Sequence, residues 1–313
     1  MKVLFITSTR IGDAVLSTSV LNYILKKYPS SSIFLASGKE PLQIYTNYKN
    51  IKKIFILKKK IFKIHWLKLW FKTNFIKWDI IVDLRGSIIA HLLSTKEKYI
   101  YKSLDKNIHR FDELASLMQT KYLSLPSIPI TTDDLSRAKK KFLKLKNTIA
   151  IGASANWPAK VWPAKKFGEL IYMLLKHKKF KKNVSIVFFG SSRDIKDTKK
   201  IISLIKIKNI KNFCGELNLL EVSACLKQCK IFIGNDSGLM HIAATVGIPT
   251  IGLFGPSLET RYGPKGTNAY FVRTKKTYYE LTGKKNFNWD TKKNLMNSLS
   301  AKSVYKKICK ILL

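Results

Sequence analysis

Residues 230–257 have the sequence KIFIGNDSGLMHIAATVGIPTIGLFGPS, and they predict one complete βαβ unit. The apolar runs 230–234 and 249–254 are typical of buried strands, and residues 238–246 between them are typical of a helix. The turn of small residues before the helix offers backbone N–H groups to an anion such as a diphosphate. In this turn Asp236 is either a helix cap or a ligand for sugar hydroxyls. His241, on the second helical turn, either faces the same anion or is packed.

The same alternation of strands and helices extends over the whole chain and predicts an α/β fold with two parallel sheets. Strands are predicted at 2–7, 33–36, 53–57, 79–83, 148–152, 184–189, 210–214, 230–234 and 249–254. Helices are predicted at 14–27, 61–76, 86–94, 108–120, 164–178, 194–206, 219–227 and 238–246, with a closing C-terminal helix. The pattern breaks near 130–147, so we expect two domains, 1–147 and 148–313, that face a cleft.

The composition limits the classes of protein that need to be considered. The chain has 313 residues, of which 58 are Lys or Arg and 19 are Asp or Glu, so its net charge is +39. A Lys-, Ile- and Asn-rich composition is typical of an AT-rich genome, but it leaves the shortage of acidic residues unexplained. The charge therefore favours an anionic partner: a membrane, an acidic glycolipid or a nucleic acid. No apolar run is long enough to span a bilayer, and the first apolar run is too short for a signal peptide.

Two further segments carry residues suited to chemistry. In STRIGDAVLST, residues 8–18, Gly12 and Asp13 lie at the turn between the first strand and its helix. An aspartate there is either a helix N-cap or a general base. In IGASANWPAKVWPAKKF, residues 151–167, Lys160 lies in a loop stiffened by two prolines, where it either binds phosphate or stands by chance in a lysine-rich chain. A GxGxxG motif is missing, which disfavours a dinucleotide-binding enzyme.

Taken in order, several motifs resemble glycosyltransferase family 9, the bacterial heptosyltransferases. They are IGDAVLST at 11–18, PAKVWPAKKFGEL at 158–170, FFGSSRDIKD at 188–197, the 234–257 stretch and YGPKG at 262–266. The resemblance implies a GT-B fold made of two Rossmann-like domains, with the acceptor on the first and the donor on the second. It also implies metal-independent, inverting transfer of heptose from ADP-heptose to a lipopolysaccharide core or related anionic glycolipid. No cofactor is expected, and the enzyme would be cytoplasmic, peripheral at the inner membrane.

The resemblance also implies a role for individual residues. Asp13 would be the base for the acceptor hydroxyl, and Lys160 would neutralise the departing diphosphate. The donor would be bound by Ser154, Ala155, Asp194, Leu217, Asp236, Ser237, Gly238, Leu239 and His241. Ala155 lacks the hydroxyl usual in the family, and Ser19 replaces a usual proline. Weaker candidates for the acceptor side are Gly12, Arg85 and His109, although Arg85 is equally well interpreted as a surface residue.

Alternatives to this function use the same residues differently. The fold could serve another nucleotide sugar, or the chain could be a basic, non-catalytic protein that binds glycans or nucleic acid. No RNP, KH or zinc-finger pattern is present, so a nucleic-acid partner is not expected.

The segment 58–78, KKKIFKIHWLKLWFKTNFIKW, combines lysines with aromatic residues and has no acidic residue. Its lysines do not form one narrow stripe on a helical wheel, so one interpretation is a helix with one packed face and snorkelling lysines. The other is a surface that docks on the anionic inner membrane. In that case reversal of Lys59, Lys60, Lys63 and Lys68 to Glu would weaken binding to anionic vesicles.

Overall fold

The computed structural model describes residues 1–58, 64–102, 107–178, 180 and 183–312. It divides into two compact units, Met1–Pro129 and Ile130–Leu313. The division lies before the expected boundary at 147, because the helix Thr132–Lys141 packs against the helix Leu219–Leu226 of the second unit.

The first unit is a five-stranded parallel sheet with helices between its strands. Its elements are β1 (Lys2–Ile6), α1 (Ile11–Lys27), β2 (Ser32–Ser37), a 3₁₀ turn (Pro41–Tyr45), β3 (Ile51–Ile56), α2 (Ile64–Thr73), β4 (Trp78–Asp83), α3 (Ile88–Leu92), β5 (Thr95–Ile100) and α4 (Arg110–Leu117). The strand order is β3-β2-β1-β4-β5, so the direction of winding reverses between β1 and β4. In an open parallel sheet, such a reversal opens a ligand-binding crevice at the carboxyl ends of the two strands.

The second unit is a six-stranded parallel sheet. Its elements are α5 (Thr132–Lys141), β6 (Ile149–Gly152), a 3₁₀ turn (Pro158–Lys160), α6 (Ala164–Lys176), β7 (Ile186–Phe188), a 3₁₀ turn (Ser192–Asp194), α7 (Ile195–Ser203), β8 (Ile210–Asn212), α8 (Leu219–Leu226), β9 (Ile231–Asn235), α9 (Gly238–Thr245), β10 (Thr250–Phe254), α10 (Glu259–Tyr262), β11 (Ala269–Arg273), α11 (Tyr278–Thr282) and α12 (Ala301–Leu312). The order is β11-β10-β9-β6-β7-β8, so the winding reverses between β6 and β9. The predicted closing helix is α12, whose Val304 and Ile308 are buried in the core formed by β6 and α6.

The nine predicted strands are present, with ends that shift by a few residues. Two further strands, β5 and β11, were not predicted. Both lie at the edge of a sheet, and their sequences TKEKYI and AYFVR lack the continuous apolar run of a central strand. β3 and β8 are edge strands as well, but Phe55 in β3 and Phe213 directly after β8 are buried, whereas no residue of β5 or β11 is buried. The hydrophobic signal of β5 and β11 is therefore weak.

Candidate active site

Asp13 lies on the first turn of α1, beside the reversal between β1 and β4. The residue that caps α1 is Arg10, whose backbone is extended and whose side chain makes no capping bond. Asp13 is half-buried, and Ser8 Oγ donates a long hydrogen bond of 3.5 Å to its Oδ2. Asp13 is therefore not the N-cap of this helix, and its carboxylate is not committed to the backbone of the helix start.

A buried hydroxyl network fixes α1 against β1. Ser17 Oγ lies 2.6 Å from Thr7 Oγ1 and 2.8 Å from Tyr45 Oη, and Tyr45 Oη donates to Ala14 O at 3.0 Å. Burial raises the pKa of Tyr45 to about 12, so the phenol stays protonated as a donor. The network holds the turn that carries Asp13, and sequence reasoning missed it because its members are far apart along the chain.

The loop after β4 is organised by the side chain of Asp83. Its carboxylate is fully buried and accepts hydrogen bonds from the backbone N–H of Arg85 at 2.8 Å, from the backbone N–H of Ser87 at 2.6 Å and from Ser87 Oγ at 2.5 Å. Burial raises the pKa of Asp83, and these hydrogen bonds oppose that shift. The carboxylate thus sets the path of the backbone on both sides of Gly86.

Arg85 projects from this loop and is half-buried. Its guanidinium carbon lies 5.2 Å from the centre of the Trp66 ring, a cation–π distance. Burial lowers the pKa of Arg85, while the carboxylates of Asp83 and Asp13 raise it. Asp13 follows β1 and Arg85 follows β4, and these adjacent parallel strands end side by side, with Ile6 opposite Asp83. The predicted base and a predicted acceptor residue therefore lie at the same edge of the first sheet.

The other two acceptor candidates have local structural roles. Gly12 lies in the first turn of α1, directly before Asp13. His109 is the N-cap of α4, because its Nδ1 accepts a hydrogen bond of 3.0 Å from the backbone N–H of Phe111. Contact of either residue with an acceptor stays a prediction.

Gly86→Ala is expected to lower the free energy of unfolding by about 1–3 kcal/mol. Gly86 has φ +62°, and a Cβ there would lie 2.5 Å from the carbonyl oxygen of Tyr101. Gly247→Ala is the matched control, since Gly247 has φ +81° but no heavy atom within 4 Å of an added Cβ. Denaturant unfolding should show the larger loss for Gly86→Ala; equal losses would mean that the contact with Tyr101 is unimportant.

In the second unit, two glycines let the ends of β6 and β9 come close together. Gly152 and Gly234 are register partners on these adjacent strands. A Cβ on Gly152 would lie 2.6 Å from the Phe232 ring, and one on Gly234 would lie 2.6 Å from the Gly152 carbonyl oxygen. The loops that follow the two strands therefore start side by side.

Lys160 and Asp236, one from each of these loops, form an ion pair. Lys160 Nζ donates to Asp236 Oδ2 at 2.5 Å. The side chain of Asp236 is 7% exposed and that of Lys160 is 25% exposed, so the carboxylate is largely withdrawn from water. The N-cap of α9 is Ser237, so Asp236 is not the cap of this helix. The lysine ammonium is thus held at the carboxyl edge of the sheet, beside the start of α9.

Asn235 connects the loop after β6 with the loop after β9, a role that the sequence did not predict. Its Oδ1 accepts from the backbone N–H of Trp162 at 3.0 Å, and its Nδ2 donates to Ala153 O at 2.8 Å. Trp162 is buried, and its indole N–H donates to Leu299 O at 3.0 Å. These bonds fix both ends of the loop that contains Ser154, Ala155 and Lys160.

The start of α9 offers polar groups close to Lys160. Among the described residues, no hydrogen-bond partner is found for Ser237 Oγ, although that atom is buried. The first N–H groups of a helix have no partner within the helix and favour an anion. Gly238 and Leu239 are half-buried, and His241 on the next turn is buried. The predicted residues 236–241 thus lie together at one helix end.

The remaining two donor candidates lie on adjoining loops after β7 and β8. Asp194 Oδ2 accepts from the backbone N–H of Ser191 at 2.7 Å and from its hydroxyl at 2.9 Å. Gly215, two residues before Leu217, donates its N–H to Gly190 O at 3.0 Å. Asp194 and Leu217 are half-buried, and they stand on neighbouring loops of the same sheet edge as Lys160.

Neither a metal centre nor a membrane-spanning helix is found in the part of the chain that the structure describes. Among these residues, no group of three or more His, Cys, Asp or Glu side chains has an arrangement that could hold a metal ion. No helix within the same ranges combines the length and the apolar character needed to cross a bilayer.

Comparison with known proteins adds independent evidence. The family model for glycosyltransferase family 9 (heptosyltransferase) matches residues 77–288. Lipooligosaccharide heptosyltransferase 2 of Campylobacter jejuni is 26% identical over 293 residues, which cover 87% of this chain and 87% of that protein. A family 9 glycosyltransferase from Veillonella parvula has a TM-score of 0.79 at 21% identity, covering 99% of this chain and 97% of that one. Escherichia coli ADP-heptose lps heptosyltransferase II has a TM-score of 0.76 at 19% identity, covering 100% and 98%.

The solved structures establish the fold, and the family model establishes the relationship. The predicted GT-B class, with two Rossmann-like parallel-sheet domains, is confirmed. The family match spans more than half of the chain and includes Lys160 and the 234–257 stretch. The chain therefore belongs to glycosyltransferase family 9, the heptosyltransferase family, and is a glycosyltransferase.

Proposed function

We propose that this enzyme transfers heptose, with inversion, from ADP-heptose to a lipopolysaccharide core or related anionic glycolipid at the cytoplasmic face of the inner membrane. The observation that carries the proposal is the Lys160–Asp236 pair beside the start of α9. A buried carboxylate, a lysine ammonium and free helix N–H groups are suited to a sugar attached to a diphosphate. The names of the relatives in Campylobacter jejuni and Escherichia coli supply the heptose, its ADP carrier and the class of acceptor.

Lys160 is proposed to stabilise the leaving group. As the bond between the anomeric carbon and the phosphate oxygen breaks, negative charge accumulates on the diphosphate. The ammonium and the start of α9 offset that charge, which lowers the barrier. Asp236, held by Lys160, is proposed to accept hydrogen bonds from the donor sugar, with Ser237 and His241 beside it.

Asp13 is proposed to take the proton from the acceptor hydroxyl. The hydroxyl oxygen forms the new bond to the anomeric carbon as ADP departs, and the proton goes to the Asp13 carboxylate. Attack from the side opposite the leaving group produces inversion. Arg85, which attracts Asp13 electrostatically, is proposed to bind an anionic group of the acceptor.

The nucleoside end of the donor is assigned to the loops after β7 and β8. Leu217 is proposed to lie against the adenine, and Asp194 to bind the nucleoside. Asp194 already accepts two hydrogen bonds through Oδ2, so Oδ1 is the oxygen proposed to bind the nucleoside. Ser154 and Ala155 line the turn next to Lys160, where Ala155 contributes only its backbone.

We expect ADP to raise the melting temperature of the enzyme more than UDP, GDP or an oligonucleotide of equal phosphate content. Calorimetry with ADP gives the affinity, and mass measurement of the acceptor after incubation with ADP-heptose gives the product. Because Lys160 supplies the positive charge, product should also form in EDTA. A larger shift with the oligonucleotide, or transfer abolished by EDTA and restored by a divalent ion, would contradict the proposal.

A further inference from the structure

The first unit exposes an unusual number of large apolar side chains on two neighbouring helices, α2 and α3, and on the turn that follows α2. We call this surface the α2–α3 patch. Its members, with their exposed fractions, are Ile64 (42%), Leu67 (54%), Phe71 (59%), Phe75 (87%), Ile88 (69%) and Leu92 (64%). Contiguous exposed apolar surface of this kind usually marks a site of interaction with a protein or a membrane.

Helix α2 is apolar on two faces. His65, Leu69 and Thr73, spaced four residues apart, are buried against the unit. Ile64, Leu67 and Phe71 form a second row on α2, and Phe75 follows in the turn just after the helix; all four side chains are exposed. The outer face of a surface helix is normally polar, so core packing does not account for this second row.

The charge around the patch indicates what covers it. Lys58, Lys68, Lys72 and Lys77 are exposed, and no Asp or Glu occurs between residues 58 and 78. A second copy of the chain would bring these lysines against their own counterparts, which is unfavourable. An anionic bilayer instead offers headgroups to the lysines and an apolar boundary to the phenylalanines.

The patch is continuous with the loop that bears Arg85. Trp66 of α2 lies under the Arg85 guanidinium, and α3 begins at Ile88, directly after the Asp83-bound turn. Contact of the patch with a bilayer therefore brings a candidate acceptor residue to the membrane surface.

We infer that the α2–α3 patch docks this enzyme on an anionic bilayer by inserting its apolar side chains among the lipid headgroups. The inference deepens the proposed function, because a glycolipid acceptor resides in such a bilayer, but the docking itself needs neither donor nor acceptor. It also extends the expectation from the sequence, in which the lysines of the segment 58–78 were the residues to be tested in binding to the membrane. Lys68 is exposed on α2, while Lys59, Lys60 and Lys63 lie outside the described residues. The structure adds apolar insertion, which salt does not screen.

The test is sedimentation of the full chain with vesicles of phosphatidylcholine containing phosphatidylglycerol, without substrates. The double variant Phe71→Ser/Phe75→Ser is expected to bind at least about tenfold more weakly than the wild type, because two apolar anchors are lost. The matched control is Leu143→Ser/Tyr172→Ser, which changes residues that are 78% and 62% exposed in the second unit. The control should bind like the wild type.

A second pair of variants tests the charge. Lys68→Glu/Lys72→Glu is expected to weaken binding at low salt, while Lys302→Glu/Lys306→Glu, also exposed and four apart on α12, is the control. Binding of the wild type to these vesicles should fall as the salt concentration rises but should not vanish. The binding that persists at high salt should be lost in the double Phe variant.

Several results would overturn the inference. The inference is contradicted if the double Phe variant binds vesicles with wild-type affinity, or if a control variant loses as much vesicle affinity as the variant it matches. It is also contradicted if the wild type binds no vesicles and forms a dimer that the double Phe variant converts to a monomer. Calorimetry with ADP on the same variants distinguishes a failure of membrane docking from a failure of the proposed transferase function. Intact ADP binding with failed docking contradicts only the patch, and failed ADP binding with intact docking contradicts only the proposed function.

Discussion

Asp13→Asn is expected to reduce the transfer rate about 10²–10⁴-fold, the usual contribution of a general base. The substitution removes the basic oxygen with little change in size. The N-cap of α1 is Arg10, not Asp13. Among the described residues, the side chain of Asp13 has one hydrogen bond, the 3.5 Å contact with Ser8 Oγ. The fold and ADP affinity should therefore stay near wild type while turnover falls. The measurement is product formation under saturating donor, with calorimetry for ADP.

Asp112→Asn provides a matched control for this variant. Asp112 is the third residue of α4, as Asp13 is of α1, and it is exposed. The same chemical change at the same helical position should leave turnover almost unchanged. If Asp13→Asn retains more than about a tenth of wild-type turnover, Asp13 is not the base.

Lys160→Ala is expected to weaken ADP binding about tenfold to a hundredfold and to slow transfer as well. A charge-assisted hydrogen bond to phosphate contributes roughly 1.5–3 kcal/mol. The ammonium acts on the bound diphosphate and on the departing one, so both the dissociation constant for ADP and the rate constant for transfer should change. The variant also leaves Asp236, 7% exposed, as an unpaired carboxylate that repels the diphosphate.

Two further variants separate these effects. Lys165→Ala removes an exposed lysine from the first turn of α6 and should leave ADP affinity unchanged. Lys160→Ala/Asp236→Asn removes the unpaired charge, so thermal stability should recover relative to Lys160→Ala while transfer stays low. Unchanged ADP affinity in Lys160→Ala would remove this lysine from the donor site.

The central strands could be predicted because their surroundings impose one pattern. β1, β4, β9 and β10 are buried along almost their whole length, so their sequences are mostly apolar runs. The small-residue turn at 235–238 likewise marks the start of α9. The edge strands β5 and β11 have no buried residue, so their sequences lack the apolar run that predicted the other strands.

By itself, the sequence determined the two parallel sheets and the separate residues Asp13, Lys160 and Asp236 as candidates for chemistry. Only the tertiary structure joined Lys160 to Asp236, because the sheet places β9 next to β6 although the residues are 76 positions apart. Likewise, periodicity shows which residues of α2 share a face, but not which face is covered. The first unit packs against Leu69 and leaves Phe71 exposed, since burial is decided by the neighbouring elements rather than by the local sequence.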